Sequence, residues 1–312
     1  MSRPASLPPD GAAERSTLSV LVPHYDDPDG LELSLRSIET QTWQGSIEVV
    51  VVDDGSAPEH QGKLEAAVGS CRVPVRLIRN GRNRGRPYTR NVLLDAAEGS
   101  WLAWLDAGDE FYQEKLAWQI ERLSYARYEN LGGPVWCTCH YHWHALSGDA
   151  PPKLVTQGVD GDQASQLFLG TLRGYLWTLV GTAQSFRDVG YFDLELPRLQ
   201  DVDFFLRFVE KGGRLLLPLT DQPLCVYQKS DLGRSARQVL RCNERLLRKH
   251  APLLMQHSRR YRGNREVQQF QLAARYALSN RDYRAAAAIL ARAAVAHPLH
   301  FGGLLLKMQG WI

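Results

Sequence analysis

The stretch Trp101-Leu102-Ala103-Trp104-Leu105-Asp106-Ala107-Gly108-Asp109-Glu110 decides how this chain is read. Five apolar residues give way at once to an acidic loop. A buried strand therefore delivers carboxylates to its C-terminal end, and in an open α/β sheet that edge is where ligands sit. Closely spaced carboxylates on a loop suit a hard divalent cation that carries phosphate oxygens. Upstream, Ile47-Glu48-Val49-Val50-Val51-Val52 runs into Asp53-Asp54-Gly55-Ser56 in the same manner. Two acid-tipped strands in one sheet suit a metal and a phosphorylated nucleotide.

Around these strands the pattern alternates. Leu18–Val22 reads as a buried strand, and Leu31, Leu35 and Ile38 share one face of a helix. Pro58 opens a helix through Leu64 and Val68, Val75–Ile78 is a short strand, and Pro87–Ala97 is a helix stopped by Gly99. Strands and helices at this spacing predict βαβ units and a mostly parallel sheet flanked by helices. Beyond Glu110 the rhythm loosens. A helix is expected over Gln113–Ala126, one alternating strand over Val135–Trp143 and another over Leu176–Val180. A helix over Asp201–Glu210 should end at Gly212-Gly213, with strands near Leu215–Leu217 and Leu224–Tyr227. From Ser235 onward the chain reads as helical, and Leu272–Leu278, Asn280-Arg281-Asp282 and Tyr283–Ala296 form a helical hairpin like one tetratricopeptide unit.

Composition sets outer bounds. A chain of 312 residues with 44% hydrophobic and 23% charged content is long enough and apolar enough for a full core. Five cysteines, odd in number and scattered, point to reduced thiols in a cytoplasmic setting. Residues 1–16 lack the apolar core of a secretory signal and read as a disordered tail. No apolar run reaches the ~20 residues that cross a bilayer, so membrane contact is expected to be peripheral, at the inner face. Residues 229–275 hold twelve Lys or Arg against three Asp or Glu. Nucleic acid, an anionic membrane or a phosphorylated acceptor can use such a segment, and so can a solvated helix face.

Several motifs occur in order: Ser19-Val20-Leu21-Val22-Pro23-His24-Tyr25, Ser37-Ile38 with Gln41-Thr42, Glu48 to Ser56, Asn83-Arg84-Gly85, Arg90-Asn91 and Leu105-Asp106-Ala107-Gly108-Asp109. Gly190-Tyr191-Phe192-Asp193, Gln200-Asp201-Val202-Asp203 and Leu206-Arg207 follow. The set resembles the inverting family 2 glycosyltransferases of the GT-A fold, a Rossmann-like α/β architecture, over about residues 18–228. The resemblance implies a nucleotide-sugar-binding half at 17–110, an acceptor-binding half of the same domain at 111–228, and a helical C-terminal extension at 229–312. It implies a nucleoside-diphosphate sugar as donor, UDP-linked, with Mn2+ or Mg2+. The acceptor would be a glycan, a lipid-linked sugar or a protein, with no nucleic-acid partner.

Residue by residue, the resemblance sets Pro23 and Tyr25 beside the base and ribose, with the Tyr25 ring open to a nucleobase. Asp54 would accept a hydrogen bond from the base, against the plainer reading of Asp53-Asp54-Gly55-Ser56 as a β-to-α turn. Arg90 either meets a ribose or diphosphate oxygen or is a solvated helical arginine. Asp109 would hold the metal, directly or through water, and Asp106 the ribose or the metal; both also suit turn and helix-cap roles. The departure from the family lies at Gly108, where relatives often carry an acid that contacts ribose. Asp201 would be the general base, at the position usually written Glu-Asp with Gln200 in place of Glu. The lost charge would weaken that base, and Asp201 is also a good N-cap for the helix it begins. Asp203 is a first-turn acid favoured by the helix dipole.

Other patterns carry weaker chemistry. Cys137, Cys139, His140, His142 and His144 invite a zinc reading. On one strand, however, the cysteines and histidines face opposite ways, and a polar strand face is the plainer account. Trp143 and Trp177 suit either sugar stacking or the core. Arg234, Arg237, Arg241, Arg245 and Arg248 line one helix face, fit for anionic lipid, a lipid-diphosphate acceptor, a protein partner or packing on the catalytic domain. The apolar tail Phe301–Ile312 suits the same partners. Two rival functions are a degenerate transferase domain serving as a scaffold, favoured by Gly108 and Gln200, and a nucleotidyltransferase, opposed by the lack of a basic glycine-rich loop after Val22.

Overall fold

The computed structural model describes residues 17–127, 129, 131–145, 151–229 and 235–302. The expected tail at 1–16, Arg234 and the run after Gly302 lie outside the described residues. The first part alternates as the sequence predicts: β1 (Thr17–His24), α1 (Pro28–Glu39), β2 (Ser46–Asp53), α2 (Pro58–Ser70), β3 (Val75–Arg79), α3 (Arg86–Ala96) and β4 (Trp101–Trp104). All three helices carry Pro in their first two positions, where a missing N–H leaves no bond unmade. Then come β5 (Glu110–Phe111), α4 (Lys115–Ala126), β6 (Val135–Cys137), β7 (Tyr141–Ala145), β8 (Lys153–Val155), α5 (Gln163–Leu169), β9 (Val180–Thr182), α6 (Ala183–Val189), α7 (Gln200–Glu210), β10 (Arg214–Leu216) and β11 (Cys225–Lys229). Helices α8 (Ala236–Lys249), α9 (Ala251–Met255), α10 (Arg259–Ser279) and α11 (Tyr283–Ala296) complete the order.

A seven-stranded sheet runs β10-β6-β9-β4-β1-β2-β3. It is parallel except at β9, which lies antiparallel to both β4 and β6. Both faces are covered, as apolar strands of a parallel sheet require. Alternate residues go to opposite cores: Leu21, Val50, Val52, Leu102 and Trp104 to one, Val20, Val22, Val49, Val51 and Ala103 to the other. Strand β1 sits between β2 and β4, so the strand order reverses there and opens a crevice beyond the carboxyl ends of the strands. A second sheet, β5-β11-β7-β8, abuts that end.

Two expected strands need correction. Val135–Trp143 is not one strand: β6 joins the large sheet and β7 the small one, with a break at Thr138–His140. The break falls where Thr138 Oγ1 meets Thr178 Oγ1 at 2.8 Å and the Gln119 amide donates to Cys137 O at 2.7 Å, buried bonds that turn the chain between sheets. Leu176–Thr178 is a 3-10 turn and only the following Val180–Thr182 is strand. Both segments are apolar enough for a strand, and side-chain bonds rather than hydropathy end them. The hairpin is as expected, with Arg281 in a left-handed conformation at its bend and α10 longer than its sequence pattern suggested.

The helical extension is not a separate body beside the sheet domain. Leu246 and Leu247 of α8 and Leu254 of α9 join the core that holds Phe204, Phe205 and Phe208 of α7. Ala236 and Leu240 at the other end of α8 pack with Phe270, Ala274 and Ile289 of the hairpin. The expected basic face is partly spent inside the molecule. Arg245 pairs with Asp193 at 3.2 Å and with Glu195, and Lys249 with Asp193 at 3.1 Å; Arg237, Arg241 and Arg248 are exposed. Among the described residues no helix is long and apolar enough to cross a membrane.

Asp203 ties α7 to this extension. Its carboxylate is fully buried and accepts from Arg207 Nε at 3.0 Å, Lys249 Nζ at 2.7 Å and His250 Nε2 at 3.0 Å. The other His250 nitrogen meets Glu210 at 3.1 Å. Burial alone would raise the Asp203 pKa, but His250, Lys249 and Arg207 outweigh it and hold it at about 2. A carboxylate whose folded pKa lies below its unfolded value stabilises fully above about pH 4 and loses that contribution as pH falls toward 2. Asp203→Asn is therefore expected to cost about 2 kcal/mol near neutral pH and to flatten the acid limb below pH 4, checked by urea melts across that range.

Candidate active site

Three loops leave the carboxyl ends of β1, β2 and β4 on the same side. At the first two, His24 Nδ1 meets Asp53 Oδ1 at 3.0 Å, and the Ser56 hydroxyl donates to the same oxygen. Burial pushes the Asp53 pKa up, and the bonds from Ser56, His24 and Gln61 bring it below the ordinary value. Asp53 thus pins β1 to β2. Asp54, 4% exposed, accepts from Asn80 Nδ2 at 2.8 Å, Arg84 N at 3.0 Å and Gly85 N at 2.8 Å. Both oxygens fold the 80–85 loop over the end of β2. Pro23 is half-buried opposite Val52, and Tyr25 is 49% exposed with its ring open to solvent.

The acidic loop after β4 is shaped by its glycine. Gly108 has φ of 93°, and its N–H donates to Gly30 O at 3.1 Å and Ser34 Oγ at 3.0 Å. An acid at this position would bring a Cβ to 3.4 Å from Asp27 Oδ2 in a conformation L-residues rarely adopt. Gly108 is a requirement of the loop, not a sign of decay. Beside it, Asp109 is 4% exposed; one oxygen accepts from Gln228 N at 2.9 Å. Burial and the neighbouring Asp106 charge push its pKa well above the carboxylate range, against the Gln228 N–H.

Arg90 is fully buried, not solvated. It donates from Nη2 to both Asp106 oxygens, at 2.9 and 3.2 Å, and from Nη1 to Asp201 Oδ1. Burial alone would lower its pKa, and Asp201 and Asp106 raise it above the usual value. Asp106, with 25% of its side chain exposed, is held below the ordinary carboxylate pKa by Arg90 and Arg86 despite its burial. Asp201, with 20% exposed, goes the other way: burial and Asp106 raise its pKa although Arg90 opposes them. The expected cap is not made. Leu199, at φ of 60°, is the N-cap of α7 without a side-chain bond, and Asp201 lies inside the first turn, turned to Arg90. Gln200 beside it is 3% exposed.

The zinc reading is not supported: among the described residues no group of three or more His, Cys, Asp or Glu could hold a metal. His140 Nδ1 accepts from Gln157 N at 2.9 Å, His142 Nδ1 meets Tyr112 Oη at 2.7 Å, and His144 Nδ1 meets Gln228 Oε1 at 3.0 Å. Cys137 and Cys139 lie in the core. Trp177 is 2% exposed, stacked on Tyr175 and Tyr227, so it belongs to the core rather than to a sugar site; Trp143 is half-buried on β7. Two residues at the site carried no sequence signal. Gln228 reaches Asp109 because β11 pairs antiparallel with β5, a contact across 119 positions that no local pattern announces. Arg86, exposed at the first position of α3, acts electrostatically on Asp106, Asp109 and Asp201.

Comparison with known proteins agrees with this arrangement. Residues 19–138 match the model of glycosyl transferase family 2. An uncharacterized glycosyltransferase of Haemophilus influenzae is 26% identical over 199 residues, 62% of either chain, so this chain spans less than two thirds of that relative's length. Among solved structures, Staphylococcus aureus TarS 1–349 in complex with UDP-GlcNAc superposes with a TM-score of 0.60 at 17% identity, over 92% of this chain and 83% of that one. The mannosyltransferase PcManGT from Pyrobaculum calidifontis, in complex with GDP-Man and Mn2+, gives 0.58 at 18% identity, over 99% and 84%. At such identities the likeness speaks for the fold, and the sequence match for the lineage. Residues 19–138 thus carry the glycosyl transferase family 2 pattern, on a chain with a GT-A fold.

Proposed function

We propose that this chain transfers a sugar from a UDP-linked donor to a hydroxyl of a glycan, lipid-linked or protein acceptor, with inversion at the anomeric carbon. The observation that carries the reading is the meeting of Asp106 and Asp201, from distant parts of the chain, on the buried Arg90 at the carboxyl end of the sheet, with the buried Asp109 beside Asp106. The TarS complex with UDP-GlcNAc and the PcManGT complex with GDP-Man and Mn2+ support the donor class. Five free cysteines favour a reducing, cytoplasmic setting.

The residues fit a divalent cation. Asp109 is buried, has no cationic partner among the described residues, and is repelled by Asp106. A bound metal removes that penalty, and Asp109 would hold it with Asp106 beside it. When bound, Mn2+ or Mg2+ supplies Lewis-acid stabilisation of the leaving diphosphate. Pro23 and Tyr25 flank the base, and Asp54 orders the loop over it. Asp201 accepts the proton of the acceptor hydroxyl as that oxygen bonds to the anomeric carbon and the bond to the diphosphate breaks; one displacement inverts the centre. The lift that a neighbouring Glu would have given comes instead from burial and from Asp106. Arg90 fixes the carboxylate it pairs with. The scaffold reading loses its support at Gly108, which the loop geometry explains.

Asp201→Asn is expected to cut turnover by about 10²–10⁴-fold with UDP affinity unchanged, read by product formation and calorimetry on the same sample; retained turnover removes Asp201 from the chemistry. The pKa of Asp201 also sets a pH limb. The rate should fall on the acid side at a pH above the usual value for an aspartate, because the base must be ionised. Asp109 gives a test independent of turnover. Its ionised form is disfavoured in the folded state, so Asp109→Asn in EDTA should melt at or above the wild-type temperature, and the rise that Mn2+ gives the wild type should vanish. A variant that keeps the rise overturns the metal assignment.

A further inference from the structure

We propose that Arg86 grips the diphosphate of the donor while Arg90 stays with the carboxylates, an inference that rests on the donor reading above. Arg86 opens α3 and Arg90 follows four residues later, so the two side chains rise from one face of the helix. They meet different surroundings. Arg90 is fully buried, with its guanidinium divided between Asp106 and Asp201. Arg86 is exposed at the mouth, and among the described residues it forms no ion pair with Asp106, Asp109 or Asp201, although its charge acts on all three. The site therefore has a cation facing its acids across a gap.

Charge balance says what fills the gap. The carboxylates of Asp106, Asp109, Asp201 and Glu110 outnumber the one Arg90 guanidinium, and a divalent cation would offset the excess at least in part. A diphosphate then arrives with no countercharge from the buried groups, and a guanidinium fork at the rim matches phosphate oxygens. The neighbouring groups are less able. Arg84 is stacked over the Tyr88 ring at 3.6 Å, and Arg79 pairs with Glu65 at 2.8 Å. Pro87, at the second position of α3, has no N–H, so the helix end itself offers fewer amide donors to an anion. The side chain of Arg86 takes their place.

The test compares UDP with uridine on the full chain in Mn2+, by calorimetry, for wild type, Arg86→Ala and Arg86→Lys. Arg86→Ala should weaken UDP about 10–100-fold, the range for one lost charge-assisted contact, and leave uridine unchanged. Arg86→Lys should fall between, since it keeps the charge and loses the fork. The salt dependence of UDP binding should become shallower in Arg86→Ala. UDP affinity retained in Arg86→Ala, or UDP and uridine weakened alike, overturns the assignment and leaves the donor reading standing. Wild type that binds UDP no better than uridine, with or without Mn2+, overturns both.

Discussion

A single buried guanidinium organises the carboxyl end of the large sheet. Arg90 sits where burial disfavours its charge, and two carboxylates repay that cost by contact. The carboxylates come from a strand-end loop and from a helix far along the chain, Asp106 and Asp201. Holding both is what joins the loop after β4 and the start of α7 in one geometry. Removing the cation would leave two buried like charges facing each other, so Arg90 is a condition of the site's shape. The same contact separates the roles of the acids. Asp106 gains from Arg90 and loses basicity, while Asp201, more strongly affected by burial and by Asp106, keeps a raised pKa suited to taking a proton.

Much of the sheet was legible because each strand there carries one signal. Val49 to Val52 are apolar on both faces and sit between two parallel neighbours, so local composition and tertiary fate coincide. Legibility failed where side-chain bonding overrode hydropathy, as at Thr138 and Thr178, where a buried hydroxyl pair ends one strand and spoils another. Within the site, the positions of Asp106, Asp109 and Asp201 were readable from their motifs, but their partners were not. Arg90 looks the same in sequence whether it meets an oxyanion or two acids. Asp54 looks the same whether it meets a base or three donors of its own loop. Such choices depend on pairings across the fold, which hydrophobic period and turn chemistry do not encode.

Helix α8 gives the C-terminal region its meaning. One end packs into the core that carries α7, the other into the hairpin of α10 and α11. Lys249 and His250 then fasten Asp203, two positions beyond Asp201. The extension is therefore a brace on the helix that bears Asp201, and part of its positive charge serves that purpose before any surface role.

The bend at Gly108 bears on how this lineage can change. Its left-handed backbone is locked by two bonds to α1, through Gly30 and Ser34, so the loop and the helix must be altered together. A lone codon change that put an acid there would strain the turn against Asp27. A chain with an acid at this position should also differ near positions 27–34, where the helix meets the turn.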